Sequence, residues 1–209
     1  MSLNKSKKGS LFQRVVSLLV KPADFFNEVK HSSDEREPIL WFGVSMAVYI
    51  LFSLILSYFA LSTFDGSSLG IPSDVMEDVV DQKWAEVLIG VVATGLFVLL
   101  TLWLMPVWHW LVQKVGVKTP KYQTVKALLY PAVPAYLFSW LPWVSLIALL
   151  VSLYAYYKAF KILLEMNTKQ MVLFSIIASI VGIVLLLVLS TLLVVFFSTT
   201  GLLVIPGLD

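Results

Sequence analysis

The sequence predicts an all-α fold, a polytopic membrane bundle of five transmembrane helices preceded by an interfacial amphipathic helix. Three observations carry this. Hydrophobic residues make up 59% of the 209-residue chain and charged ones 13%, about half the charged share of soluble domains. The apolar residues fall in long runs: 38–61, 87–112, a proline-broken stretch 127–164 and 171–197. A helix needs about 20 such residues to cross the hydrocarbon core. Finally, of the 15 Lys/Arg residues all but Lys83 lie in segments on one side of the alternating runs. Positive-inside bias then places the N-terminus in the cytoplasm and the C-terminus outside, in a multi-pass protein of the cell membrane.

Residues 1–9 form a basic tail with Lys5, Lys7 and Lys8, and Ser10 stands as the N-cap of a helix over 11–20. Leu11, Phe12, Val15, Val16, Leu18, Leu19 and Val20 share one arc of that helix, and Gln13, Arg14, Ser17 and Lys21 the other. Such a helix lies in the interface or packs beneath a bundle, and periodicity alone does not separate the two. Pro22 suits the first turn of a short helix to Lys30 that continues the apolar surface with Phe25, Phe26 and Val29. Residues 1–37 thus form a basic interfacial region and 38–209 the transmembrane domain. No cleavage site follows 11–20, so the first span is expected to be an uncleaved anchor.

Asp34, Glu35 and Glu37 precede the first span, where acids complement the helix dipole. The next loop is acidic, and Asp74, Glu77, Asp78 and Asp81 share one face of a helix that extends the second span from Ser73 outward. Lys114, Lys118, Lys121 and Lys126 follow that span with no acid among them. Residues 127–140 give about 21 Å of helix, short for a straight crossing, and Pro131, Pro134 and Pro142 punctuate them. Full-length spans follow over 142–164 and 171–197, and 200–209 reads as a return along the outer surface. Trp41, Trp108, Trp110, Tyr156 and Tyr157 fall near the inner interface, and Tyr58, Trp84, Trp140 and Trp143 near the outer one.

Chemistry is sparse. The central parts of the spans hold no ionisable residue, the usual marker of a proton relay or ion pathway. Glu86 and His109 lie close to the boundaries, within reach of water. With no Cys and only His31 and His109, disulfides, thiolate sites and histidine metal clusters are excluded, and no cofactor is expected. The acidic outer face reads as solvated rather than as a calcium loop. Nucleic acid is set aside because the lysines cluster beside spans, where anionic headgroups account for them. Small residues recur at four-residue spacing in Gly43/Ala47, Ser53/Ser57, Gly90/Thr94, Ala148/Ser152, Ala155/Ala159 and Ser175/Ser179, which suits close helix packing and leaves the oligomeric state open.

The order of parts resembles the Yip1-domain family. Pro22, Phe25 and Phe26 form a P-x-x-F-F element before five spans. Lys114 and Gly116 mark a lysine/glycine loop, and Tyr122, Thr124, Lys126, Tyr130, Pro131 and Pro134 stand in order after it. The resemblance implies vesicle-traffic roles and binding of prenylated Rab-type GTPases for eukaryotic relatives, through a longer N-terminal region and an Asp-Leu-Tyr-Gly-Pro-type tract. This chain has no such tract, so Rab binding is not carried over, and its compact form is similar to prokaryotic members. The leading reading is a non-enzymatic integral membrane protein. It organises membrane or recruits a protein partner at its cytoplasmic loops. Arg14, Lys21, Phe25, Phe26, Lys114, Lys118 and Lys121 would dock the anionic lipid surface or that partner. A second reading stays open: a small passive permease, channel or lipid scramblase with a groove at Tyr130, Pro131 and Pro134, because each proline frees a backbone carbonyl.

Overall fold

The computed structural model describes residues 11–62, 87, 88, 90–96 and 98–199, all helical or in connecting turns, with no strand among them. The basic tail, Ser10, the acidic loop with its helix from Ser73, Trp84, Glu86 and the stretch 200–209 lie outside the described residues.

Two short helices come first, α1 (Leu11–Val20) and α2 (Pro22–Lys30). Pro22 fits the first turn of α2, Asp24 lies at its positive end and Lys30 at its negative end, the arrangement the helix dipole favours. The long helix α3 (Arg36–Ser62) starts where the Asp34 carboxylate accepts the Arg36 N–H at 2.8 Å. Helices α4 (Gly90–Trp103) and α5 (Met105–Lys114) follow, bent by 52°. Residues 87–112 read as one run in the sequence. Pro106 lacks the N–H that would bond one turn back, so the helix breaks just before it.

The proline-rich segment has three pieces: α6 (Lys121–Leu129), a 3₁₀ turn Tyr130–Ala132 and α7 (Val133–Phe138). It begins six residues earlier than apolar content predicts, because the first turns of α6 carry Lys121, Gln123, Thr124 and Lys126. α8 (Pro142–Ile162) returns antiparallel to it, and α9 (Thr168–Thr199) completes the order. A reciprocal pair starts α9: the Asn167 N–H donates to Gln170 Oε1 at 3.0 Å, and the Gln170 N–H donates to Asn167 Oδ1 at 2.9 Å.

Among the described residues three helices are long and apolar enough to cross a membrane, within 36–59, 143–162 and 168–192, and the bent α4–α5 pair makes a fourth if taken as one span. The segment 121–138 rises beside α3. Tyr130 packs on Trp41 at 5.6 Å, Tyr136 on Phe42 at 5.3 Å, and Trp140 stacks on Phe52 at 4.3 Å. From Trp41 to Phe52 that climb covers about 16 Å of helix.

The core sits at one end. Leu18, Phe25, Phe26 and Val29 of the N-terminal helices meet Trp41, Val112, Ala127, Tyr130, Ala155, Ala159, Phe160, Leu163 and Phe174 there. A second cluster of Phe42, Met46, Val98, Met105, Val125 and Leu129 continues it along α3. Trp41 is therefore a core residue and not part of an interfacial belt, 6% exposed. Beyond the core the helices show apolar surface, such as Leu146, Ile147 and Leu150 on α8 and Ile183 and Leu187 on α9. Such a surface needs an apolar covering, which the hydrocarbon core of a membrane supplies. Of the small-residue pairs, Ala148, Ser152, Ala155 and Ala159 are buried on α8, whereas Gly43, Ala47, Gly90, Ser175 and Ser179 are exposed. The first set brings α8 against α2, α6 and α7.

Candidate functional site

The basic segments and the N-terminal helices meet at the core end of the bundle. Lys30 Nζ pairs with Glu165 Oε1 of the α8–α9 turn at 2.7 Å. Gln170 Nε2 of α9 donates to Val115 O of the α5–α6 turn at 3.1 Å, and Gln123 Nε2 of α6 donates to Lys30 O. Three stretches far apart in the chain, around 30, 115–126 and 165–170, are thereby joined. The turn after α5 needs Gly116, whose φ of +86° is strained for any residue with a Cβ.

α2 is fixed from both sides. Phe25 sits edge-on to Phe26 at 5.4 Å and to Tyr130 at 5.0 Å, and lies 5.9 Å from Trp41. The Arg14 guanidinium lies over Trp41 at 5.3 Å and Phe25 at 5.7 Å, and it pairs with Glu37 in the first turn of α3. Beneath α2, Lys126 Nζ donates to Val29 O at 2.7 Å and to Ser32 O. The ammonium adds to the His31 and Ser32 N–H groups that already cap Val29 O, and it ties the turn after α2 to α6. At the surface, the hydrogen bond from Lys30 and its positive charge hold the Glu165 carboxyl below the usual range.

α5 and α6 are linked by a polar chain. His109 Nδ1 lies 2.9 Å from Thr124 Oγ1, and Gln113 Nε2 lies 3.0 Å from His109 Nε2. Outside it, Lys114 sits over Trp110 at 5.4 Å, Lys158 over Tyr154 at 5.3 Å and Lys161 over Tyr157 at 5.8 Å.

At the proline element the Val133 N–H takes the Tyr130 carbonyl that Pro134 leaves without a donor, and α8 takes up two further backbone groups. The Ala135 N–H donates to Ser152 Oγ at 3.0 Å, and Tyr156 Oη donates to Leu128 O at 3.0 Å. Both partners stand on α8, one turn apart. Tyr130, Pro131 and Pro134 are buried.

Of the residues singled out in the sequence, Arg14, Phe25 and Tyr130 come together in one cluster, and Pro131 and Pro134 lie along the buried segment that follows it. Phe25 and Phe26 are 0% exposed and hold α2 on the bundle instead of facing outward. Arg14 likewise turns inward, its side chain 13% exposed. Lys21, Lys114, Lys118 and Lys121 are exposed. Sequence reasoning missed Gln123, Lys126, Glu37, Ser152 and Tyr156 as the residues that lock this end. The one available signal was Lys126, a lysine set between Val125 and Ala127. Among the described residues no group of three or more His, Asp and Glu could hold a metal ion.

A comparison with protein families matches the Yip1 domain over residues 16–190. No curated relative and no solved structure matches significantly. The matched region runs from α1 into α9 and takes in the aromatic cluster, the buried lysine and the proline-broken hairpin. With its apolar helices and one-ended core, the chain is a multi-pass membrane protein that belongs to the Yip1-domain family.

Proposed function

We propose that this is a non-enzymatic Yip1-family membrane protein whose basic end works at the cytoplasmic membrane surface, where it organises membrane or recruits a protein partner. The observation that carries this is the convergence of the N-terminal helices with the 115–126 and 165–170 turns through Lys30, Gln123, Glu165 and Gln170. Charges that alternate along the chain thus gather on one side of the helices, as a positive-inside arrangement requires.

Five crossings follow if the proline-broken segment is one of them. Its climb beside α3 to the level of Phe52 and the antiparallel return of α8 support that reading. α1 then lies at the inner interface. It turns Leu18 and Arg14 toward the bundle and leaves Val16 and Val20 exposed, with Val20 at 70%. Lys21 beside them is exposed as well, so this edge presents apolar surface and positive charge together, the combination anionic membranes favour.

The test is the salt dependence of the full chain in nanodiscs binding to added vesicles. Binding to anionic vesicles should fall steeply between low salt and physiological salt, and neutral vesicles should bind weakly throughout. Equal binding to both kinds of vesicle would remove the electrostatic part of the proposal. The burial of Tyr130, Pro131 and Pro134 and the bonds from α8 to this segment support packing over passive transport. Liposomes holding the protein should show background lipid flip and solute flux, before and after Pro131→Ala/Pro134→Ala. Strong wild-type flux lost in the double variant would establish the transport reading instead.

A further inference from the structure

The α5–α6 turn carries an open depression of about 500 Å³, lined by Gln113, Val117, Lys118, Thr119 and Pro120. We propose that it binds the phosphate of an anionic phospholipid headgroup, with Lys118 as the charge and Gln113 and Thr119 as the hydrogen-bonding wall. The proposal rests on the reading that this end of the bundle faces an anionic membrane surface.

The chemistry of the lining is selective. It offers an ammonium, an amide and a hydroxyl, and from Gln113 to Lys126 the chain has no acid to repel an anion. Lys114 and Lys121 flank the lining residues in sequence and are exposed. Across the end of the bundle, Glu165 is engaged by Lys30.

The wall is held in place before any ligand arrives. Gln113 Nε2 is fixed on His109, and His109 on Thr124, which is fully buried. One amide hydrogen of Gln113 serves that bond, and the other remains for a ligand oxygen. The turn beneath is pinned by Gln170 on Val115 O and by the Val117 N–H on Val112 O at 3.3 Å. Val115 and Val117 are both buried in the core.

A neighbouring apolar track points to a lipid rather than to free phosphate. Val107, Trp110 and Lys114 share one face of α5 by their spacing, and Val107 and Trp110 are 43% and 53% exposed. Lys114 lies over the Trp110 ring at the basic end of this face. An acyl chain can lie along the valine and indole while its phosphate reaches the turn.

The full-length protein in zwitterionic detergent would be titrated at constant ionic strength with short-chain phosphatidylglycerol, short-chain phosphatidylcholine and inorganic phosphate, with tryptophan fluorescence and Tm as readouts. Phosphatidylglycerol should bind saturably and raise Tm, phosphatidylcholine should do neither, and inorganic phosphate should bind at least tenfold more weakly. Lys118→Ala should weaken phosphatidylglycerol binding roughly fivefold, the equivalent of about 1 kcal/mol. Lys118→Arg should keep it, and Lys161→Ala, on a different helix, should leave it unchanged. Equal responses to the two lipids, or a folded Lys118→Ala variant with wild-type affinity, would overturn the site. Inorganic phosphate binding as tightly as the lipid would overturn the assignment to a headgroup. If Lys118→Ala does not fold, the three-ligand comparison on the wild type still decides. Salt-dependent vesicle binding that persists while Lys118→Ala has no effect would sink this site and leave the basic end's membrane role standing.

Discussion

Lys126 is one of four lysines that read as a basic loop without acids, yet it is 1% exposed and holds the end of α2 through Val29 O and Ser32 O. Its burial depends on a helix end arriving from about a hundred residues away, and no local pattern encodes that. Lys126→Met should cost about 1–3 kcal/mol in chemical denaturation, because two hydrogen bonds from a charged donor are lost, whereas Lys118→Met should be nearly neutral in the same assay. Glu165 sets a different test. Its folded pKa lies below the ordinary 4.5 because of Lys30, so on acidification the unfolded chain takes up the proton first. The stabilisation is therefore complete above the ordinary value and disappears as pH falls through the lower folded one. Melts of wild type and Glu165→Gln should converge as pH drops below that range, and the small gap at neutral pH should close in high salt.

Among the elements, α1 and α2 were legible as helices from Pro22 and the spacing of their apolar residues, but their orientation was not. Arg14 falls on the polar arc by periodicity. The structure turns it inward because Glu37 and the faces of Phe25 and Trp41 offer it more than water does. Arg14→Ala should loosen α1 without unfolding the bundle, read as faster amide exchange across 13–20 with unchanged exchange in α8. Glu37→Gln should do the same, and equal protection of α1 in both variants would show that Leu18 and Val15 suffice. The α4–α5 bend had its signal in Pro106, which a hydropathy window passes over. The opposite error occurred at α6, where polar residues in the first turns hid a helix whose own partners are polar.

For the whole molecule, the helical fold and the gathering of basic segments at one end were readable, because composition and charge alternation are properties of the chain alone. The position of the core was not, since a lipid-facing leucine and a buried one look alike in a sequence. Orientation is open to direct test, and the lack of native Cys makes it clean. Single cysteines at Ser67 and Thr200 should react with an impermeant maleimide on intact cells, and those at Thr119 and Thr168 only after permeabilisation. The inverse labelling would reverse the proposed orientation.

The bonds from Ser152 and Tyr156 to the broken helix also bear on biogenesis. Residues 121–140 leave the ribosome before α8, and at that moment Ser152 and Tyr156 are not yet there to take the Ala135 N–H and the Leu128 carbonyl of the broken helix. Hydrocarbon offers no substitute, and each group left unsatisfied there costs several kcal/mol, so the segment should wait at the translocon until α8 follows and then enter the bilayer together with it as a hairpin. Glycosylation mapping of nascent chains should show residues 121–140 failing to insert when synthesis stops before Pro142. The same segment should insert once the chain extends past Tyr156, and Ser152→Ala/Tyr156→Phe should lower that second efficiency.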